Sequence, residues 1–263
     1  MGRRCLEILR GPYPLYDDIQ GKRVLVVGAS YGIGYSLAIA LSGLGAELVL
    51  ASRTTGSIVN AIDEGQISNA TIISCDVTNS DDVQKLVTAI DPVDAICFVA
   101  GAVKLAPKQQ LKKAFINNQV DINLVAPIEL LSSLFRYKKF NNEASIILTT
   151  AAARFNSVQA TTPYAAAKNG LVSVVQTLAG EALSDNIRVN AVSFDYVSSR
   201  MTENIVGSNI EKREALTTEI VGVSPSINAV VPYIYLISKA SRWMTGQVIE
   251  ADAGRRLSRV VHG

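Results

Sequence analysis

Short apolar runs rich in β-branched residues recur along this chain, and amphipathic stretches fill the gaps between them. That alternation limits the possible folds more than any other feature. Strands buried on both faces read as continuous apolar runs, and helices must cover both of those faces. Strict β–α alternation therefore argues for a mostly parallel sheet with helices on either side. The runs at 22–27, 47–52, 70–75, 94–99, 145–149, 187–193 and 247–250 read as strands. Helical stretches are expected at 33–44, 80–90, about 111–135, 162–183 and 224–238, the third interrupted near Pro127. Gly45 suits a helix C-cap, Asp81 and Asp82 favour a helix N-terminus, and Pro163 suits a first helical position. Residues 1–20 read as an irregular arm, since Pro12 and Pro14 prevent regular pairing. The polar segment at about 195–222 reads as a substrate lid. No repeat, linker or low-complexity tract divides 21–263, so one domain is expected there.

Composition narrows the function by exclusion. A net charge of +2 makes no case for nucleic acid or an anionic membrane as the main partner. No apolar run approaches the roughly 20 residues of a membrane span. The one histidine, His262, stands beside the C-terminus, which leaves no Ser-His-Asp or Cys-His machine and no histidine-rich metal site. Cys5, Cys75 and Cys97 are scattered without CxxC spacing, which suggests a reducing compartment and a cytoplasmic protein.

Two local patterns carry chemistry. The first strand runs into Gly28-Ala29-Ser30-Tyr31-Gly32-Ile33-Gly34, after which a helix begins. A helix N-terminus collects anions on its unpaired amides, and glycines let the backbone approach a pyrophosphate. The spacing is GxxxGxG rather than GxGxxG; in a strand–turn–helix unit it reads either as the phosphate loop of a Rossmann-like domain of the doubly wound α/β class or as a glycine-rich turn with no ligand. At the end of the second strand an acid would take a ribose 2′-hydroxyl, and an arginine would take a 2′-phosphate. Ala51-Ser52-Arg53-Thr54 has no acid; Arg53 offers a charged fork, with Ser52 and Thr54 as hydroxyl donors. NADP(H) is therefore expected, with NAD(H) as the alternative.

The second pattern is Tyr164-Ala-Ala-Ala-Lys168, which places a phenol and an ammonium on one helix face. A neighbouring ammonium favours the phenolate, so a tyrosine pKa lowered towards working pH is expected, as proton transfer requires. Alone, such a pair is an ordinary surface feature; behind a glycine loop it becomes a candidate catalytic pair.

Taken together these residues resemble a short-chain dehydrogenase/reductase, from about 21 to 254, and most closely the branch of the β-ketoacyl carrier-protein reductases. The matching pieces are Gly28-xxx-Gly32-x-Gly34, Asp76-Val77, Ala100-Gly101, Asn123, Tyr164-xxx-Lys168, Ile187-Arg188-Val189-Asn190 and Thr245-Gly246-Gln247-Val248-Ile249. The resemblance implies that Tyr164 passes a proton to a carbonyl oxygen or takes it from an alcohol. It implies that Lys168 tunes Tyr164 and binds the nicotinamide ribose, and that Asn123 holds a relay water. Asp76 and Val77 would contact adenine, Ala100 and Gly101 would lie along the cofactor, and Val197 near its carboxamide. The partner would be a small carbonyl or alcohol substrate, and the assembly a homodimer or homotetramer.

The sequence departs from that pattern. The family's serine thirteen positions before the tyrosine is Ala151 here, with Thr150 its nearest hydroxyl neighbour. A donor beside a developing oxyanion is worth ~3 kcal/mol, a hundredfold or more in rate. The usual Pro-Gly after the sixth strand is Phe194-Asp195, and the usual Asn-Ala-Gly after the fourth is Val99-Ala100-Gly101. Asp195 is either a charge in the pocket or a solvent-facing loop acid, and Arg154 either an anion contact for substrate or a surface arginine. Three readings stand: a reductase with an altered oxygen site, a different reaction on the same scaffold, or a nucleotide-binding protein without turnover.

Overall fold

The computed structural model describes residues 16–152, 158–199, 201–202, 224–252 and 254. Seven strands form one parallel sheet: β1 Arg23–Val27, β2 Glu47–Ser52, β3 Ala70–Ser74, β4 Val93–Phe98, β5 Phe140–Ala151, β6 Arg188–Phe194 and β7 Val248–Ala251. Their order is β3-β2-β1-β4-β5-β6-β7, with every neighbouring pair parallel. The helices are α1 Gly32–Gly43, α2 Gly56–Asp63, α3 Ser80–Ala89, α4 Lys113–Val120, α5 Ala126–Arg136, α6 Thr162–Glu181 and α7 Val231–Ile237.

Each expected strand is present, but β5 begins before position 145. Its extra residues include Asn141, Asn142 and Glu143, polar types that conceal a strand, and the pairing with β4 shifts register between Val93 and Ala95. Helix α2 was not foreseen; it is short, and only Ile58 and Ala61 are fully buried on it. The interrupted helix is α4 and α5 joined by a π-turn at Asp121–Val125. Pro127 lacks the N–H that would bond the carbonyl of Asn123, so α spacing fails there and a wider turn takes its place. The stretch expected at 224–238 holds only a 3₁₀ turn, Asn228–Val230, followed by α7. Part of the expected arm is ordered against the core. Asp17–Ile19 is a 3₁₀ turn with Ile19 fully buried, and Asp18 pairs with Lys22 at 3.0 Å. Residues 1–15 and 203–223, most of the expected lid, lie outside the described residues.

The central strand shows why its sequence is uniformly apolar. Val24 and Val26 enter one layer with Leu37 and Leu41 of α1 and Tyr233 and Ile234 of α7. Leu25 and Val27 enter the opposite layer with Leu86 of α3, Leu130 and Leu134 of α5, and Leu171 and Val175 of α6. Each fully buried aliphatic side chain contributes about 1.5–3 kcal/mol. From β1 the chain winds outward to β2 and β3, then crosses to β4 on the other side. At such a reversal the connections leave in opposite directions and a crevice opens at the carboxyl ends of the strands.

Candidate active site

A cavity of about 390 Å³ occupies that crevice. Gly28, Ser30, Tyr31, Gly32 and Ile33 line it, with Gly34 packed beneath. Gly28 has φ +91°, and a Cβ there would meet the Ala100 nitrogen at 2.6 Å. A Cβ on Gly34 would fall 2.2 Å from the Gly28 carbonyl oxygen. The loop can fold this tightly against the end of β4 only because both positions lack a side chain. Helix α1 starts without a side-chain cap, so its first-turn amides suit an anion.

At the end of β2, Ala51, Ser52, Arg53 and Thr54 also line the cavity. Ser52 is buried and its hydroxyl donates to Ser30 Oγ at 2.8 Å, so it stitches the two loops together. The Arg53 side chain is 63% exposed and lies 4.0 Å from a carboxylate oxygen of Asp76. Cys75 and Val77 face the cavity, whereas Asp76 is not among its lining. Asp76 accepts from the Thr78 amide at 2.9 Å and the Thr78 hydroxyl at 2.7 Å, a turn-forming role. Burial disfavours its charge, but the Thr78 donors and Arg53 together hold the carboxyl below its ordinary value.

The opposite end is built by β5 and α6. Tyr164 is partly exposed in the wall, and Lys168 is 4% exposed. Lys168 Nζ donates to the Thr149 carbonyl at 2.8 Å, and the Lys168 carbonyl accepts from Thr150 Oγ1 at 2.6 Å. Burial pushes the Lys168 ammonium down to about 8 and the Tyr164 phenol up to about 12. This corrects the expectation of a lowered tyrosine: with the ammonium held on Thr149, desolvation of the phenolate dominates.

Asn123 stands behind the wall and not in it. It is fully buried, donates to the carbonyls of Ala102 at 2.7 Å and Gln119 at 2.9 Å, and accepts from the Ala102 amide at 3.2 Å. A Cβ on Gly101 would lie 2.9 Å from Asn123 Oδ1 and 3.4 Å from Lys168 Nζ. Asn123 and Lys168 thus converge on Gly101, which lines the cavity with Ala100. Gln119, one turn before Asn123 and fully buried, accepts from the Lys104 amide at 3.1 Å. The motif reading missed it, although a glutamine four residues before that asparagine shares its helix face.

Thr150, Ala151, Phe194, Asp195 and Val197 complete this end. Asp195 therefore belongs to the cavity wall and is not a solvent-facing loop acid. Ser199, Met201 and Thr202, from the segment expected as the lid, also line the cavity, and Ile122 and Thr149 line it beyond the residues expected. Ser199 approaches the glycine loop: a Cβ on Gly32 would sit 3.3 Å from the Ser199 Cβ. Arg154 lies outside the described residues.

The cavity thus joins a glycine cradle, an exposed arginine, a partly exposed Tyr164 and a buried Lys168 along the carboxyl edge of the sheet. These are the donor types that phosphates and a ribose accept from. Residues 28–256 match the sequence profile of the family described as enoyl-(acyl carrier protein) reductase. The chain belongs to the short-chain dehydrogenase/reductase family. Among relatives of this family, it is 31% identical to the 3-oxoacyl-(acyl-carrier-protein) reductase FabG of Rickettsia bellii, over 90% of this chain and 98% of that protein. It is 32% identical to the mitochondrial borneol dehydrogenase of Lavandula x intermedia, over 90% of this chain and 91% of that one. Among solved structures, a short-chain type dehydrogenase/reductase from Mycobacterium marinum superimposes with a TM-score of 0.83 at 26% identity, covering 91% of this chain and 97% of that one. A putative NAD(P)-dependent gluconate 5-dehydrogenase from Beutenbergia cavernae, with bound NADP, has the same fold: TM-score 0.83 at 24% identity, 91% of this chain and 98% of that one.

Proposed function

We propose that this short-chain dehydrogenase/reductase is an NADP(H)-dependent oxidoreductase that interconverts a carbonyl and a secondary alcohol, with Tyr164 as general acid and base. The observation that carries the reading is the convergence of Tyr164, Lys168 and Asn123-braced Gly101 at the end of a cavity whose other end is a glycine cradle. Gly28, Ser30, Tyr31, Gly32, Ile33 and Gly34 would cradle the phosphates, and Arg53 with Thr54 the 2′-phosphate. Val77, Ala100, Gly101, Lys168 and Val197 would flank the remainder. A bound nicotinamide supplies or accepts the hydride. The protein orients the substrate carbon, keeps water from it and moves the proton at Tyr164 Oη. A phenol held protonated to about 12 serves as the donor in reduction. Relatives are named for acting on 3-oxoacyl carrier-protein and borneol, which supports a carbonyl or alcohol substrate.

A second reading is a nucleotide-binding protein without turnover, favoured by Ala151 at the oxygen site. The two are separated by NADPH oxidation against ketones, keto-sugars and β-ketoacyl thioesters, with Tyr164→Phe alongside. Turnover in the parent chain that falls by 10²-fold or more in the variant supports the reductase. NADPH binding without turnover on any carbonyl supports the binder.

Buried free thiols at Cys75 and Cys97 suit the reducing environment of a cytoplasmic protein. No helix among the described residues is long and apolar enough to cross a membrane. Exposed Ile116 on α4, Val125 on the π-turn and Ile128 on α5 suit a subunit contact, and sedimentation would distinguish monomer, homodimer and homotetramer.

A further inference from the structure

Thr149 is where side chains from the two faces of the sheet meet. Tyr233 of α7 belongs to one layer, fully buried and stacked on Phe194 with ring centroids 5.9 Å apart. Its hydroxyl lies 2.6 Å from Thr149 Oγ1. Helix α6 packs on the opposite layer, and from it Lys168 Nζ donates to the Thr149 carbonyl at 2.8 Å. Thr149 Oγ1 itself donates to the Phe98 carbonyl at 2.7 Å. A hydroxyl has one proton to give, so Tyr233 is the donor in its bond to Thr149. The residue pairing of β4 with β5 runs to Phe98 and Leu148, and the Thr149 side chain carries it one residue further at the carboxyl edge. Thr149 and Phe194 line the cavity, and Tyr233 backs both of them from behind.

A phenyl ring would fill the place of Tyr233 and keep the stack on Phe194. The net gain in stability from one buried hydroxyl bond is modest, so what the hydroxyl adds is chiefly direction. A buried ammonium follows its acceptor, because a bond to a charged group is stronger than one between neutral groups. The acceptor here is a backbone carbonyl, and its aim depends on how firmly residue 149 is held. Pairing with Val192 of β6 holds it on one side, and the bonds to Phe98 and Tyr233 hold it on the other. We propose that the Tyr233–Thr149 pair is the positioning element for Lys168: it fixes the Thr149 carbonyl and thereby sets where the ammonium stands in the cavity wall. Neither residue belongs to the Tyr-Lys motif, and Tyr233 acts only through its neighbours. The consequence for catalysis rests on the reductase reading above, since a small misplacement in such a site slows the chemical step.

The test acetylates the ligand-free chain with acetic anhydride near neutral pH and reads each lysine by mass spectrometry. Lys139, which donates to the Ile90 carbonyl at 2.6 Å just before β5 begins, is the internal reference. Tyr233→Phe removes the hydroxyl and keeps the ring; Thr149→Val keeps the shape and removes the acceptor. Each is expected to raise acetylation of Lys168 relative to Lys139 about fivefold or more, as a loosened bond to a charged group implies. Thr149→Ser retains the hydroxyl and should stay within about twofold of the parent chain. The double variant Tyr233→Phe/Thr149→Val leaves no orphaned phenol, so its urea stability should recover relative to Thr149→Val while Lys168 acetylation stays raised. A merely structural role would restore both together. Acetylation unmoved in the single variants, raised equally in Thr149→Ser, or restored along with stability in the double variant overturns the inference. With NADPH and the carbonyl panel above, kcat in Tyr233→Phe should fall about tenfold, with KM for the carbonyl compound within about threefold. An unchanged kcat overturns the inference and leaves the reductase reading intact. No turnover by the parent chain overturns the reductase reading, and acetylation then decides the placement of Lys168 by itself.

Discussion

Lys168 is a buried ammonium, and its desolvation sets up an opposition between stability and chemistry. Its folded value of about 8 lies below its ordinary 10.5, so between those pH values the unfolded chain binds the proton more readily and stability rises with pH. Below about 8 the full cost, roughly 3 kcal/mol, is present; above 10.5 it is gone. Lys168→Met should therefore abolish turnover yet hold or raise the unfolding free energy at pH 7, the advantage disappearing as pH rises through 10.5; urea titrations across pH measure this. The raised Tyr164 acts in the opposite sense, its contribution being lost as pH rises towards 12, but equally in both proteins. Arg53 is mostly exposed, and its loose pair with Asp76 adds little to stability. Arg53→Ala should weaken NADPH binding about tenfold or more while leaving NADH affinity nearly unchanged, as fluorescence titration would show. The Tyr-Lys spacing and the alanine at position 151 were legible as letters. That the Thr150 hydroxyl is taken by a carbonyl on another element was not legible.

Helix α4 and its π-turn hold the wall of the cavity from behind. Gln119 and Asn123 reach the loop after β4 through Lys104 and Ala102, so one helix face fixes where Gly101 lies. Gln119→Leu leaves the Lys104 amide without its buried acceptor. The expected cost is about 1–3 kcal/mol in chemical denaturation, with a raised KM for the dinucleotide and a smaller change in kcat. Boundaries of elements followed local chemistry where it was strong: Asn79 caps α3 by accepting from the Asp81 and Asp82 amides, close to where the acids placed the helix start. They failed where neighbours decided. At the start of β5 Phe140 pairs with Val93 of β4 before the register shifts past the polar residues, and α2 is a helix too short for its periodicity to be seen.

The sheet as a unit carries the two halves of the site. Ile96 of β4 is fully buried in the layer under α5 and α6, between β1, which leads into the glycine loop, and β5, whose Thr149 carbonyl accepts from Lys168. Ile96→Ala should cost about 2–5 kcal/mol, read as a lower melting temperature, with NADPH affinity largely kept in the protein that remains folded. The amino-acid sequence by itself determined the parallel doubly wound fold and the place of the glycine-rich loop at the end of its first strand. Runs of buried strand and short-range spacings are local properties, written in neighbouring letters. Packing in three dimensions settled what those letters do: Asp76 turns to Thr78, Ser52 ties to Ser30, Asn123 braces the wall from behind, and Tyr164 is raised by burial. Each outcome depends on which distant group lies within hydrogen-bonding reach and on how much water the fold removes, and neither quantity exists until the elements have come together.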